Sequence, residues 1–196
     1  MNFWDQKYST IELGYGEKPN EFFKQFIQNQ QPGKLLLPGE GEGRNAVFAA
    51  KSGWHVTAFD SSFIAREKAL SLAEKMQVNI DYHNFGVESF NIDQEFDVIA
   101  IIFMHLMPEI RKTFHQKLMN ILHDDGTLIM EVFSKEQLSY NSGGPKHPDL
   151  LYSIDDLKND FTGCNIESIE QQEVILDEGP WHQGNANVIR LTVRKL

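Results

Sequence analysis

The sequence has little cysteine, no long apolar run and a deficit of basic residues, and each shortage excludes a class of protein. Cys164 is its single cysteine, so the chain can form neither an internal disulfide nor a multi-cysteine metal site. No apolar run approaches the roughly 20 residues of a membrane-spanning helix. The 18 Lys and Arg face 28 Asp and Glu, and the net charge of −10 argues against general nucleic-acid binding, which needs clustered basic residues. The sequence therefore predicts no nucleic-acid, membrane or metal partner.

The first ten residues lack the basic and apolar stretches of a signal peptide, which predicts a cytoplasmic protein. Apolar residues make up 41% of the chain, and no linker rich in Gly, Pro or Ser divides it. We expect a single domain over residues 1–196, with a helical lid segment at 1–30 and a core at 34–196. A monomer and a homodimer are both compatible with the sequence.

Short apolar runs alternate with amphipathic stretches along the core, a pattern typical of strands alternating with helices in a parallel sheet. Two C-terminal strands leave no room for a helix between them, so they must pair antiparallel. The predicted fold is α/β, a Rossmann-like three-layer sandwich with a mixed seven-stranded sheet, a C-terminal antiparallel hairpin and short N-terminal helices. Strands are predicted at 34–38, 55–59, 78–82, 96–103, 127–133, 165–175 and 186–194, helices at 2–9, 19–30, 44–51, 63–76, 109–122 and 154–161, and a turn at 124–126.

A glycine-rich loop follows the first strand. Residues 35–45 read LLLPGEGEGRN, with three alternating glycines between a strand and a helix. Such a turn lets a ligand approach the backbone, and the helix N-terminus offers free N–H groups. The next strand ends at Asp60, where a carboxylate can accept hydrogen bonds from both hydroxyls of a ribose. Arg44 stands where a dinucleotide-binding loop has its last glycine, so a ligand without a pyrophosphate suits this loop better.

The stretch KLLLPGEGEGRNAVFAAKSGWHVTAFDSS resembles the first two motifs of class I S-adenosylmethionine-dependent methyltransferases. More narrowly, the chain resembles the tellurite-resistance and thiopurine methyltransferase-like branch, whose opening W-D-x-x-Y and Y-G-x-x-P segments match residues 4–8 and 15–19. The resemblance extends from Phe3 to Lys195. It implies methyl transfer from S-adenosylmethionine to a small-molecule acceptor, with S-adenosylhomocysteine as the product.

Three positions depart from the family pattern. Leu37 replaces an acid before the first glycine, Glu40 replaces Cys or Ala after it, and Phe85-Gly86 replaces a Gly-Asp pair. We still expect the glycine loop to hold the methionine end, Asp60 the ribose and residues 85–88 the adenine. The expected cofactor-binding residues are Gly39, Glu40, Gly41, Gly43, Arg44, Asn45, Asp60, Ser61, Phe85, Gly86, Val87, Glu88, Phe103 and Met104.

The acceptor site is expected beyond the carboxyl ends of the strands, where open α/β sheets bind their ligands. His105 follows the fourth strand and is the best acid–base or orienting candidate, with a purely hydrogen-bonding role as the alternative. Glu131, on the fifth strand, would face either the pocket or a helix end. His182 lies in the hairpin loop, where it would close over the substrate, and Trp181 beside it would be either an apolar wall of the site or an exposed loop aromatic. The expected catalytic residues are His105, Glu131 and His182, and the expected substrate contacts are Tyr15, His105 and Trp181.

Two other functions are compatible with the same motifs. A NAD-dependent oxidoreductase uses the same strand–glycine–helix arrangement, although the missing last glycine and the terminal hairpin argue against it. A non-catalytic S-adenosylmethionine-binding module would account for the departures in the motifs.

The negative charge is concentrated in one segment. Residues 149–178 contain nine acidic residues and one basic residue. We expect either a plain solvated surface or a negative rim near the hairpin loop, which would suit a neutral or cationic acceptor.

Overall fold

The computed structural model describes residues 2–195, in which all seven strands join one sheet flanked by helices. The strands are β1 Lys34–Pro38, β2 His55–Asp60, β3 Asp81–Asn84, β4 Phe96–Ile102, β5 Leu122–Phe133, β6 Asn165–Asp177 and β7 Gln183–Arg194. The helices are α1 Phe3–Tyr8, α2 Glu21–Gln28, α3 Arg44–Lys51, α4 Phe63–Lys75, α5 Pro108–Asn120 and α6 Ile154–Asp160. Met1 and Leu196, the ends of the expected domain, lie outside the described residues.

The strand order is β3-β2-β1-β4-β5-β7-β6. Strands β1 to β5 run parallel, whereas β7 pairs antiparallel with both β5 and β6. This arrangement confirms the predicted Rossmann-like fold with its mixed sheet and its C-terminal hairpin.

The core lies on both faces of the central strands. Leu36 and Ile99 belong to the layer that contains α5 and α6, whereas Leu35 and Val98 belong to the layer that contains α2 and α3. Because both faces are covered, β1 and β4 are continuous apolar runs without polar alternation. Each fully buried aliphatic side chain contributes about 1.5–3 kcal/mol to folding.

Side-chain caps define where several helices begin. Ser153 and Asp156 form a capping box at the start of α6. Ser62 caps α4 by accepting from the Ala65 N–H, and Asn20 caps α2 by accepting from the Phe23 N–H. The caps at Ser62 and Asn20 fix where α4 begins after β2 and where α2 begins before β1. Both helix starts lie close to the glycine loop.

Two sequence predictions about local structure were wrong. The third strand begins at Asp81 and not at Val78, because the chain leaves α4 through Gln77 at φ 57° and Val78 packs against that helix. The turn expected at 124–126 lies inside β5, which begins at Leu122. An irregularity in the pairing with β4 accommodates Asp125 at φ 62°.

The carboxyl ends of β1, β2 and β4 meet at one edge of the sheet. The chain order reverses between β1 and β4, and such a switch point is where open α/β sheets form their ligand crevice. α1 and the loop between β6 and β7 lie over this edge. Within residues 2–195 no helix is both long enough and apolar enough to cross a membrane.

Candidate active site

The glycine loop passes very close to neighbouring side chains. Gly39, Gly41 and Gly43 have φ angles of 62°, 68° and 88°, a backbone region that favours glycine. A Cβ atom at Gly39 would lie 2.9 Å from Met104 Sδ, and one at Gly43 would lie 2.6 Å from Ala69 Cβ. The three glycines therefore give a sharp turn from β1 into α3 that no larger residue would permit.

Glu40, one of the departures from the family pattern, folds back onto the start of α3. Its Oε1 accepts hydrogen bonds from the N–H groups of Asn45 at 2.8 Å and Ala46 at 2.7 Å. The side chain thus satisfies N–H groups that the first turn of a helix leaves free. Burial raises the pKa of Glu40 to about 7, although these hydrogen bonds and the Arg44 charge act in the opposite direction.

Asp60 is placed at the end of β2 by two backbone hydrogen bonds. Its Oδ2 accepts from the Gly41 N–H at 3.1 Å and its Oδ1 from the Ser62 N–H at 2.8 Å. A carboxylate has about four acceptor positions, so two stay free for ligand hydroxyls. Burial raises the pKa of Asp60 to about 6, against the effect of those two hydrogen bonds.

A small cavity of about 60 Å³, here called the loop cavity, lies against the glycine loop. Its polar wall combines the carboxylates of Glu40 and Glu42 with the guanidinium of Arg44. Glu42 is only 2% exposed and accepts from Lys68 Nζ at 3.0 Å, while Arg44 pairs with Glu178 at 2.7 Å. The residues that line the loop cavity are Trp4, Tyr8, Tyr15, Gly39, Glu40, Glu42, Arg44, Asn45, Ile102, Phe103 and His182.

A second and larger cavity of about 360 Å³, here called the aromatic pocket, adjoins the first. Four residues line both cavities: Trp4, Tyr15, Phe103 and His182. The other residues that line the aromatic pocket are Phe3, Lys7, His105, Phe133, Gly144, Pro145, Lys146, His147 and Leu150.

Stacked rings form one wall of the aromatic pocket. Phe133 stacks on Phe103 with ring centroids 4.5 Å apart and on His105 with centroids 5.6 Å apart. Phe103 itself has a φ of 52°, which is costly for an aromatic residue and is typical of functional sites. This strained residue lines both cavities.

His105 lines the aromatic pocket, and the proton on its ring has a defined position. Its Nδ1 lies 2.7 Å from the carbonyl oxygen of Leu150, which can only accept, so Nδ1 carries the proton. Nε2 is buried without a hydrogen-bond partner. Burial lowers the pKa of His105 to about 4, so the ring is neutral near pH 7 and Nε2 offers a lone pair.

His182 and Tyr15 close the boundary between the two cavities. The rings of Tyr15 and His182 pack edge to face at 4.6 Å, and His182 packs in the same way on Phe103 at 4.7 Å. Burial lowers the pKa of His182, whose Nδ1 lies 3.6 Å from Glu178. Trp181 packs against the other side of Tyr15 and lines neither cavity, so the structure gives it a supporting position.

Glu131 lies in a buried polar network and is absent from the lining of both cavities. Its carboxylate accepts from Asn20 Nδ2 at 2.6 Å and from Arg190 Nε at 2.5 Å. Burial raises its pKa in spite of the Arg190 charge. The sequence left two orientations of the Glu131 side chain open, toward the pocket or toward a helix end. In the structure the side chain binds a helix end, since its partner Asn20 is the N-cap of α2.

Residues 85–88 lie apart from the loop cavity. Phe85 stacks on Phe59 at 4.7 Å, and Val87 and Glu88 line a separate cavity of about 180 Å³ beside α5. Ser61 is held through its carbonyl oxygen, which accepts from Asn2 Nδ2 at 2.8 Å. The adenine contacts expected at residues 85–88 stay a prediction.

The expected negative rim does not extend into the lining of the aromatic pocket. None of the acidic residues of the segment 149–178 lines it. Glu178 pairs with Arg44, and Asp160 pairs with Arg111 at 2.6 Å in a buried contact between α5 and α6. Several others lie on β6, which is the edge strand of the sheet. The exposed acidic residues of β6 form a plain solvated surface, which was the alternative expectation.

Sequence reasoning missed several residues that line the site. Lys7 and Tyr8 reach it from α1, Phe133 from the end of β5, and residues 144–150 from a loop. The rule that strand ends face the ligand points to residues 131–134 at the end of β5, which include Phe133, but it does not single out that residue. The sequence predicts a helical lid segment at residues 1–30, but no local pattern indicates which side chains of α1 line the site.

Comparisons with known proteins agree with this geometry. Residues 36–126 match the family described as "Methyltransferase domain". This segment runs from β1 into β5 and contains the glycine loop, Asp60 and His105. The match covers just under half of the chain and agrees with the resemblance found in the sequence, so it favours the methyltransferase class over the oxidoreductase alternative.

Individual relatives are distant. A protein of Geobacillus sp. (strain WCH70), whose name assigns it provisionally to the methyltransferases, is 27% identical over 136 residues, which are 63% of this chain and 55% of the relative. The chain spans about half the length, or less, of the curated relatives it matches. TehB from Haemophilus influenzae superimposes with a TM-score of 0.74 and 17% identity over 99% of this chain and 66% of its own. Magnesium protoporphyrin IX methyltransferase from Synechocystis PCC 6803, solved with bound S-adenosylmethionine, gives a TM-score of 0.67 and 13% identity over 97% of this chain and 91% of its own. At these identities the structures establish the shared fold.

Proposed function

We propose that this chain is an S-adenosylmethionine-dependent methyltransferase that acts on a small-molecule acceptor. The observation that carries the proposal is the junction of the loop cavity with the aromatic pocket at Phe103 and His182. A cofactor on the glycine loop and an acceptor in the aromatic pocket would meet at this junction. The fold that the chain shares with TehB agrees with this proposal.

The charges of the loop cavity fit the amino-acid end of the cofactor. Glu40 and Glu42 would face its ammonium group and its sulfonium, and Arg44 its carboxylate. Opposite charges at close range in a partly dehydrated site favour binding more strongly than they would in water. The bound cofactor supplies an activated methyl group on a sulfonium, so the protein needs to supply mainly orientation and exclusion of water.

Asp60 would hold the ribose through its two free acceptor positions. In this structure α1 covers that region: a Cβ atom at Gly41 would lie 2.6 Å from Tyr8 Oη, and Asp5 accepts from Ser62 Oγ at 2.7 Å. A cavity of about 60 Å³ has room for only a few water molecules. We therefore infer that α1, within the lid segment 1–30, moves aside to admit the cofactor and then closes over it.

On the acceptor side, the protein orients the nucleophile and receives its proton. Phe103 and Phe133 would hold the acceptor body by stacking, and His105 Nε2 would accept a hydrogen bond from the attacking group. The hydrogen bond from Nδ1 to Leu150 fixes the ring in the tautomer that this role requires. His182 and Tyr15 would exclude water from the junction.

The test is calorimetric titration of the protein with S-adenosylhomocysteine. We expect binding by the wild type and affinity about 10- to 100-fold weaker in Asp60→Asn, because hydrogen bonds to a charged group are worth about 1.5–3 kcal/mol. Asp93→Asn is the control, because Asp93 is exposed in a loop away from both cavities. Absence of binding by the wild type, or equal affinity in Asp60→Asn, would contradict the proposal.

A further inference from the structure

The aromatic pocket is basic although the protein as a whole is acidic. Its charged lining residues are Lys7 and Lys146, and among residues 2–195 no Asp or Glu lines it. The whole chain has a net charge of −10. A local reversal of sign in a concave, ring-lined site favours ligands of negative charge.

Lys7 is a half-buried ammonium without an acidic partner. No Asp or Glu in the described part of the chain lies within 4.0 Å of its Nζ. Three rings surround Nζ instead, with centroids 4.6 Å away at Trp181, 5.0 Å at Trp4 and 5.4 Å at Tyr15. Nζ also donates to Tyr15 Oη at 3.1 Å.

The rings stabilise this cation but supply no net counter-charge. Cation–π contacts attract the ammonium only weakly, whereas charges removed from water are ordinarily paired. Burial lowers the pKa of Lys7, and the more distant Glu42 offsets this only in part. An anion in the aromatic pocket would complete the environment of this ammonium.

His105 adds a second requirement to the ligand. Because Nδ1 donates to Leu150, Nε2 can only accept, and it is buried without a partner. A ligand that pairs with this nitrogen needs a hydrogen-bond donor. The stacked wall of Phe103, Phe133 and His105 adds a third requirement, a flat body that can pack on rings.

We propose that the methyl acceptor is a small, flat organic anion, with its anionic group beside Lys7 and a hydroxyl or thiol that donates to His105 Nε2. This inference rests on the proposed function. In the transfer the acceptor oxygen or sulfur bonds to the methyl carbon while the carbon–sulfonium bond breaks, leaving a neutral thioether. The hydroxyl or thiol proton passes to His105 Nε2 and from there to solvent. The negative charge of the acceptor stabilises the imidazolium that this step creates in a buried position.

The test compares acids with their uncharged amides on protein saturated with S-adenosylhomocysteine. The probes are 4-hydroxybenzoate and 4-sulfanylbenzoate, each paired with its carboxamide, which has a similar shape and no charge. We expect at least one acid to bind the wild type ten or more times more tightly than its amide. Lys7→Met should reduce that ratio to less than threefold, and Lys7→Arg should retain most of it. Lys24→Met, at an exposed pair with Glu21, is the control and should leave the ratio unchanged.

Three results would overturn the inference. The first is equal binding of acid and amide to the wild type, and the second is no binding of either acid. The third is that Lys7→Met weakens the binding of acid and amide by the same factor. The last result would mean that Lys7 only holds α1 in place. Binding of S-adenosylhomocysteine is measured first, so a wild type that binds it but shows no preference for acids refutes this inference alone. A wild type that fails to bind S-adenosylhomocysteine refutes the proposed function as well.

Discussion

The buried carboxyl group of Glu40 makes a specific prediction about stability and pH. Its pKa rises from 4.5 to about 7 in the folded protein because burial outweighs its hydrogen bonds to the start of α3. A group whose pKa is raised on folding keeps its proton in the native state after the unfolded chain has lost it. The free energy of unfolding therefore falls as pH rises from about 4.5 to 7.

The magnitude follows from the size of the pKa change. A rise of about 2.5, at about 1.4 kcal/mol per pKa unit, amounts to roughly 3 kcal/mol. Glu40→Gln keeps an oxygen that can accept from the Asn45 and Ala46 N–H groups but cannot ionise. Relative to the wild type, the variant should gain up to about 3 kcal/mol between pH 5 and pH 8, whatever its absolute stability.

The assay is urea unfolding of the protein without cofactor at pH 5, 6, 7 and 8, followed by circular dichroism. All other titrating groups are shared by the two proteins, so the difference between their curves reports Glu40. Parallel curves for wild type and Glu40→Gln from pH 5 to 8 would refute the reasoning, since they would show that Glu40 is not buried as an acid of raised pKa.

Glu178→Gln is a matched control, because the pKa of Glu178 is shifted in the opposite direction to that of Glu40. Burial raises the pKa of Glu178, but His182 and Arg44 outweigh this and hold it at about 2. A lowered pKa gives stability that is present above the unfolded pKa of 4.5 and is lost only as pH falls toward 2. Glu178→Gln should therefore be destabilised by the same amount at pH 6 and pH 8, in contrast to Glu40→Gln.

Two further predictions concern the aromatic pocket and the glycine loop. His105→Phe should lower the methyl-transfer rate by 10²-fold or more while leaving the affinity for S-adenosylhomocysteine within threefold, because His105 lines the aromatic pocket and not the loop cavity. Radiolabelled methyl transfer and calorimetry measure the two quantities, and an equal loss in both would indicate a structural role. In urea unfolding, Gly41→Ala should be less stable than Gly163→Ala by about 1 kcal/mol or more. Both glycines have a positive φ, but only at Gly41 would the new Cβ atom collide with the Tyr8 side chain. Equal losses would show that Tyr8 moves aside freely.

The fold could be predicted from the sequence because its signals are local. The apolar run of β4, the glycines after β1 and the Ser153 capping box each specify their own element with little help from the rest of the chain. The two errors lie where tertiary contacts decide. Val78 packs against α4 instead of pairing, and the start of β5 is set by its pairing with β4.

The site was predictable only where it follows from strand order. Asp60 and His105 stand at strand ends, so the topology places them at the ligand edge. Glu131 also lies on a strand at this edge, but its carboxylate is held by Asn20 and Arg190. Neither partner is near Glu131 in the chain, so no local pattern could distinguish the two orientations of its side chain.

The contribution of α1 shows why the rest of the site required the three-dimensional structure. Neighbouring residues of a helix point about 100° apart, and α1 uses this difference: Tyr8 packs on the glycine loop while Lys7 reaches the aromatic pocket. Both cavities thus share one wall that is tied to the start of α4 through Asp5 and Ser62. Because Lys7 and Tyr8 move together, a displacement of α1 that uncovers Asp60 also removes the ammonium from the aromatic pocket. Under the proposed function, the acceptor site would therefore be complete only when α1 has closed, and the cofactor site would close before productive binding of the acceptor.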